Sequence, residues 1–200
     1  MISITIATKN LRFLYTLNEV LSDVKEIKTN HILPRDSIPP NTDIIITTET
    51  EKQVFAERKV FVPKAFNLYY LYSNLFLLKN DKKMFERVVI GIDPGKTIGF
   101  AVLANNDLIL GTAEFFSAVD SVKEVIKVFF NVETNDFIIK VGEGGGVIRE
   151  EIVKRIEEIF REKIVLEVVK EDFTSKNQTF LKDKNYSKNV KSAILITRRR

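Results

Sequence analysis

The segment Val88 to Val102 constrains the fold more than any other part of this chain. An apolar run, Val88-Val89-Ile90-Gly91-Ile92, ends at Asp93-Pro94-Gly95-Lys96, and a second apolar run, Ile98 to Ala104, follows at once. Apolar runs of this length bounded by Pro and Gly read as buried strands, and so short a connection returns the chain antiparallel to itself. A third strand, Leu108 to Phe116, follows the turn Asn105-Asn106-Asp107, so the three form an antiparallel meander. Asp93 thereby stands at the carboxyl end of the first strand.

The pattern then changes period. Val122, Val125, Ile126 and Phe129 share one face of a helix from about Ser121 to Phe130, and the strand Phe137 to Val141 ends at Gly142-Glu143. A crossover of that length makes this strand parallel to a neighbour. A helix over Ile148 to Phe160 and a strand over Ile164 to Val169 repeat the unit, and a helix from about Ser187 to Ile196 closes the chain. The expected fold is α/β, a mixed sheet of three antiparallel and two parallel strands with helices.

A smaller α/β domain is expected before it. Ile2, Ile4 and Ile6 alternate as in a strand, and Asn10 caps a helix carrying Leu11, Leu14, Leu17 and Leu21. Pro34, Pro39 and Pro40 break the next region; Asp43 to Thr48 and Lys59 to Pro63 read as short strands, and Phe66 to Leu78 as an aromatic helix whose Phe66, Tyr69, Tyr70, Tyr72 and Phe76 read as core and interdomain packing, with a binding surface as the alternative. The charged stretch Lys79 to Glu86 is the candidate linker. Residues 1–84 and 85–200 are therefore taken as two domains, the role of the first undefined: recruiting substrate, making a homodimer or capping the sheet.

Composition narrows the chemistry. With no Cys, disulfide frameworks, thiolate metal sites and cysteine nucleophiles are excluded. Met1 to Thr8 lacks a basic segment before an apolar stretch, and the longest apolar-rich run, Leu68 to Leu78, is interrupted by Ser73 and Asn74, so neither a signal peptide nor a membrane span is expected, and a cytoplasmic location is. Abundant Lys, Glu and Ile with two Met resembles thermophile usage. The net charge of +4 is concentrated after Lys170, where Lys and Arg outnumber Glu171, Asp172 and Asp183. Such a segment suits phosphate backbones, although charge runs of this kind are more often a solvated surface or a loose tail.

Asp93 and Glu143 both stand just past apolar strands, at the edge where open α/β sheets gather ligands. Two carboxylates facing one cleft suit a hard cation, Mg²⁺ or Mn²⁺, and a pair of such ions roughly 4 Å apart can activate water and stabilise the leaving oxygen in phosphodiester hydrolysis. The single histidine, His31, lies in the other domain and reads as a surface residue.

The stretch Gly91-Ile92-Asp93-Pro94-Gly95-Lys96-Thr97-Ile98-Gly99-Phe100-Ala101-Val102 resembles the first-strand motif of RuvC-type Holliday-junction resolvases and YqgF-like nucleases, of the RNase H-like superfamily. The succession of strands and helices over about residues 87–197 matches that superfamily too. The resemblance implies that Asp93 is the leading catalytic and metal-binding acid, that Gly95 turns the chain, that Gly99 allows close strand packing and that Glu143 is the second acid. It also implies one or two aspartates on the last helix, where this chain has Lys188-Asn189-Val190-Lys191. Asp172, just after the fifth strand, is the substitute suggested by spacing.

Three functional readings follow. The first is a metal-dependent nuclease using Asp93, Glu143 and Asp172 on structured DNA or RNA, with a branched substrate implied by the family alone. Lys96, Lys176, Lys188 and Lys191 are its candidate nucleic-acid contacts, and Phe173, Phe180 and Tyr186 interleave with the later lysines as strand-binding segments do. The second is a catalytically impaired RNase H-like scaffold or nucleic-acid binder, suggested by Lys188 and Lys191 in place of acids. The third is a nucleotide-binding protein of the actin-like superfamily, whose phosphate-gripping loops Asp93-Pro94-Gly95-Lys96-Thr97 and Gly144-Gly145-Gly146 also resemble; the first eighty-odd residues hold no matching second domain. For the glycine triplet itself, a sharp strand-to-helix turn is the favoured reading.

Overall fold

The computed structural model describes residues 1–22, 24–55, 58–170 and 185–199. The chain divides into two compact units, Met1–Lys83 and Met84–Arg200.

In the first unit four parallel strands, β1 (Ile2–Ala7), β2 (Ile27–Ile32), β3 (Ile44–Ile46) and β4 (Val60–Phe61), form a sheet in the order β2-β1-β3-β4. The central β1 is buried on both faces, Ile4, Thr5, Ile6 and Ala7 alike, as parallel strands are. Helix α1 (Leu11–Leu21) begins where the Asn10 side chain accepts the Phe13 amide proton. It buries Leu17 and Leu21, whereas Leu11 is exposed. Helix α2 (Leu68–Lys79) is capped in the same way by Asn67; Tyr69 and Tyr72 are buried, and Phe66, just before the helix, is exposed. His31 is exposed on β2, with a ring nitrogen 3.0 Å from the Thr8 carbonyl oxygen.

Lys79, at the end of α2, ties this unit together by donating to Asp43 at 2.8 Å, while the Ser3 amide donates to the same carboxylate oxygen at 2.8 Å. These bonds, Lys79 first, hold the Asp43 carboxyl below its ordinary range. A carboxyl depressed in the folded state stabilises the protein above its unfolded value, and that contribution is lost as pH falls through the folded value. Asp43→Asn is therefore expected to flatten the loss of stability on acidification, read as the pH dependence of the urea midpoint. An unchanged acid slope would show that the pairing contributes nothing.

The second unit is built on five strands, β5 (Phe85–Asp93), β6 (Ile98–Ala104), β7 (Leu108–Phe115), β8 (Thr134–Gly142) and β9 (Val165–Val169), in the order β7-β6-β5-β8-β9. β5, β6 and β7 pair antiparallel; β8 runs parallel to β5, and β9 to β8. Helix α3 (Ala118–Asn131) links β7 to β8, α4 (Val147–Phe160) precedes β9, and α5 (Lys188–Thr197) closes the unit. The unit is thus a mixed α/β sheet of three antiparallel and two parallel strands, in the order and directions expected for an RNase H-like domain.

β5 starts earlier than its apolar pattern, at the fully buried Phe85, which pairs with Thr134. Phe129 of α3 meets Phe137 of β8 and Phe160 of α4 at ring separations of 5.2 and 5.0 Å, locking both helices to the sheet. α5 lies on β5 and β6, burying Val190, Ala193, Ile194 and Ile196. Among the described residues, no helix is long and apolar enough to cross a membrane.

Candidate functional site

Asp93 is the last residue of β5, directly opposite Gly99 on β6, which is directly opposite Glu114 on β7. Directly opposed residues share a sheet face, so Glu114, Gly99 and Asp93 form one row across the sheet. Gly91, two residues before Asp93, lies on that face too. α5 covers it at unusually short range. A Cβ built on Gly91 would lie 2.1 Å from the Ala193 carbonyl oxygen, and one on Gly99 would lie 2.1 Å from that of Asn189. The glycines flanking Asp93 are thus the places where a helix backbone meets the sheet. Gly99 admits a helix rather than the close strand packing that the resemblance implies. Gly95 makes no such contact: a Cβ there would meet only the Thr97 carbonyl at 3.4 Å, and its φ is not positive.

On the other side of β5, Ile92 pairs with Val141, so the row through Asp93 continues to Gly142 and then to Val169 of β9. Glu143 follows immediately, exposed, at the same sheet edge as the half-buried Asp93. Its amide extends the ladder by donating to the Val169 carbonyl at 2.9 Å, and its own carbonyl accepts from Arg149. Strand alternation alone would send Glu143 to the opposite face, but the chain turns there. Gly145, at φ +77°, packs so tightly on the Asp93 turn that a Cβ would fall 2.4 Å from the Pro94 carbonyl oxygen. The two acid-bearing loops are therefore in contact through Gly145, and the triplet has a packing reason beyond the turn. Gly145→Ala adds a side chain at a positive φ and drives it into backbone. A loss of roughly 1–3 kcal/mol in the urea unfolding free energy is expected, and stability equal to wild type would mean that the loops do not need this contact.

Glu114, which the sequence pattern did not single out, is tied to the start of α5. The Ser187 hydroxyl donates to its Oε1 at 2.6 Å and the Asn189 side-chain amide at 2.9 Å. These bonds, Ser187 first, hold the Glu114 carboxyl below its ordinary range. Ser187 also caps α5, its Oγ accepting the Val190 amide proton at 3.2 Å. The only signal that could have found Glu114 is its place in β7 opposite Gly99, which needs the register.

Lys140 of β8, opposite Gly91, was not singled out either. Its side chain is largely buried, 3.5 Å from Glu167, and it donates to the Arg199 carbonyl just past the end of α5. A cation there complements the negative end of the helix dipole.

Of the other candidates, Lys96 is exposed in the Asp93 turn; Lys188 is exposed and Lys191 half-buried on α5. Asn189, not either lysine, is the first-turn residue of α5 that meets the Asp93 row. Asp172, Lys176, Glu171, Phe173 and Phe180 lie outside the described residues. Tyr186 is half-buried against the cluster of Ala101, Leu103, Val190, Ala193 and Ile194, so it packs rather than projects. Among the described residues, no group of three or more His, Cys, Asp or Glu side chains is placed to hold a metal ion. Asp93 and Glu143 offer carboxylate oxygen alone, the donor chemistry of Mg²⁺ or Mn²⁺.

No protein-family model matches the chain, and no curated protein does. Among solved structures it is similar to the Argonaute of Marinitoga piezophila in complex with a 5′-OH guide RNA and target DNA, with 12% identity and a TM-score of 0.33. The similarity covers 86% of this chain and 39% of the Argonaute chain.

Proposed function

We infer that this chain is a metal-dependent nuclease of the RuvC/YqgF-like branch, hydrolysing phosphodiester bonds in structured DNA or RNA. The observation that carries this reading is the meeting of the Asp93 turn and the Glu143 loop through Gly145 at the carboxyl edge of an RNase H-like sheet. Asp93 and Glu143 are the residues that would hold Mg²⁺ or Mn²⁺. Such an ion supplies an activated water and charge neutralisation at the leaving oxygen. Lys96, exposed beside Asp93, binds a substrate phosphate by charge, as do Lys188 and Lys191 from α5. Asp172 and Lys176 keep the roles the sequence suggests, a third acid and a further phosphate contact.

The test is cleavage of branched, duplex and single-stranded DNA and RNA with Mg²⁺ or Mn²⁺, by wild type and by Asp93→Asn. Metal-dependent cleavage lost in the variant is expected; cleavage that survives the substitution refutes the site.

A second reading, a nucleic-acid-binding or scaffold protein without cleavage, is favoured by one observation. The first turn of α5 meets the Asp93 row with an amide, Asn189, and carries lysines on either side of it in sequence. Salt-dependent binding without cleavage of any substrate distinguishes it.

A further inference from the structure

Resting on the nuclease reading, we propose that Glu114 is a positioning residue of the Asp93 site, aiming the side-chain amide of Asn189 so that its oxygen becomes a donor to the same cation as Asp93.

Three observations lead there. First, the row Glu114, Gly99, Asp93 puts the two carboxylate residues on one face, one strand either side of a glycine. Second, Asn189 occupies the space over that glycine: a Cβ on Gly99 would lie 2.1 Å from its carbonyl oxygen and 3.1 Å from its own Cβ. Asn189 therefore stands over the glycine that separates Glu114 from Asp93 in the row, with its side chain bonded to Glu114. Third, the amide is held in one sense. An ionised carboxylate only accepts hydrogen bonds, so the group of Asn189 that faces Glu114 at 2.9 Å is the NH₂, and the amide oxygen is the end left over. That oxygen has no hydrogen-bond partner among the described residues. A neutral oxygen donor of this kind is an ordinary ligand for a hard cation.

Glu114 contributes charge as well as aim. The amino end of α5 carries the positive end of the helix dipole, which opposes a cation brought close to it. The Glu114 carboxylate, bonded to the cap residue Ser187 at that helix end, offsets it. Aim and charge are separable from mere docking of the helix, because a glutamine at 114 still bonds Ser187 and Asn189. It can present either end of its own amide, however, so it neither fixes the sense of Asn189 nor carries charge.

The measurement is Mn²⁺ affinity of the full chain, read from the electron paramagnetic resonance signal of free Mn²⁺, alongside thermal unfolding of the metal-free protein. Wild type is expected to bind Mn²⁺ and Asp93→Asn to lose it. Glu114→Gln is expected to weaken binding by about tenfold, the scale of losing a partner that orients a ligand, with metal-free unfolding little changed. Asn189→Ala is expected to lose at least as much, and Asn189→Asp, which restores an oxygen, to recover it. Diffraction from Mn²⁺-soaked wild-type crystals gives an arm independent of any variant: the anomalous peak is expected against both Asp93 and the Asn189 amide oxygen.

Mn²⁺ affinities of Glu114→Gln and Asn189→Ala equal to wild type, an Asn189→Asp affinity no better than Asn189→Ala, or a peak at Asp93 away from Asn189 each overturn the assignment while leaving the nuclease reading in place. Absence of Mn²⁺ binding by wild type removes the metal-dependent reading itself, and this assignment with it.

Discussion

Replacing Gly91 by valine is expected to unseat α5 and to cost the second unit at least about 3 kcal/mol of stability, toward the upper end of overpacking penalties. Even a single Cβ at this position would fall 2.1 Å from the Ala193 carbonyl oxygen, 2.7 Å from Thr197 Cγ2 and 3.1 Å from the Thr197 amide nitrogen. Two of these three atoms are helix backbone, which cannot turn aside as a flexible side chain can. The helix must move as a body. In moving it gives up the burial of Val190, Ala193, Ile194 and Ile196, each worth roughly 1.5–3 kcal/mol for the larger side chains when fully buried.

Urea unfolding of the full chain measures the loss, and Gly95→Ala in the turn that follows β5 is the control. A Cβ at Gly95 meets only the Thr97 carbonyl at 3.4 Å, so that variant is expected to stay within about 0.5 kcal/mol of wild type. If Gly91→Val matched the control, the close approach of α5 to β5 would be wrong, and with it the placement of Asn189.

The second large effect is on cleavage. Asp93→Asn keeps the shape of the side chain and removes its charge, and in the proposed nuclease it takes away the carboxylate at the carboxyl end of the central strand. Partners that only orient a metal ligand cost about 10–100-fold in affinity or activity when lost; a ligand itself is expected to cost at least about 100-fold. Thermal unfolding measured beside the rate separates loss of chemistry from loss of fold. A rate within severalfold of wild type in a folded variant would place the chemistry elsewhere in the chain.

The short-range pattern carried a large part of the second unit. An apolar run, a Pro-Gly turn and another apolar run can be satisfied by little else than β5 and β6, because each run must bury its side chains and the turn is too short for a crossover. Helices α4 and α5 were legible for the same reason, from periodic apolar positions. α3 begins earlier than its apolar pattern because Ser117, whose side chain accepts the Asp120 amide proton, caps it. In the first unit β2 was not legible. Ile-Lys-Thr-Asn-His-Ile is a polar edge strand with one covered side, so it has almost no hydrophobic signal and exists because β1 offers it a ladder.

By itself the sequence determined that a mixed α/β sheet would carry Asp93 at one strand end and Glu143 at another, since both facts depend only on local periodicity and turns. What lies beside them was decided by tertiary structure. Strand register put Glu114 level with Asp93 across twenty-one positions of chain. The docking of α5 chose Asn189, and neither Lys188 nor Lys191, as the residue over Gly99. Periodicity gives a residue its face and turns give a strand its end. Which groups meet across strands and helices is set by long-range hydrogen-bond register and by where glycine lets two backbones touch, and neither is written within a window of ten residues.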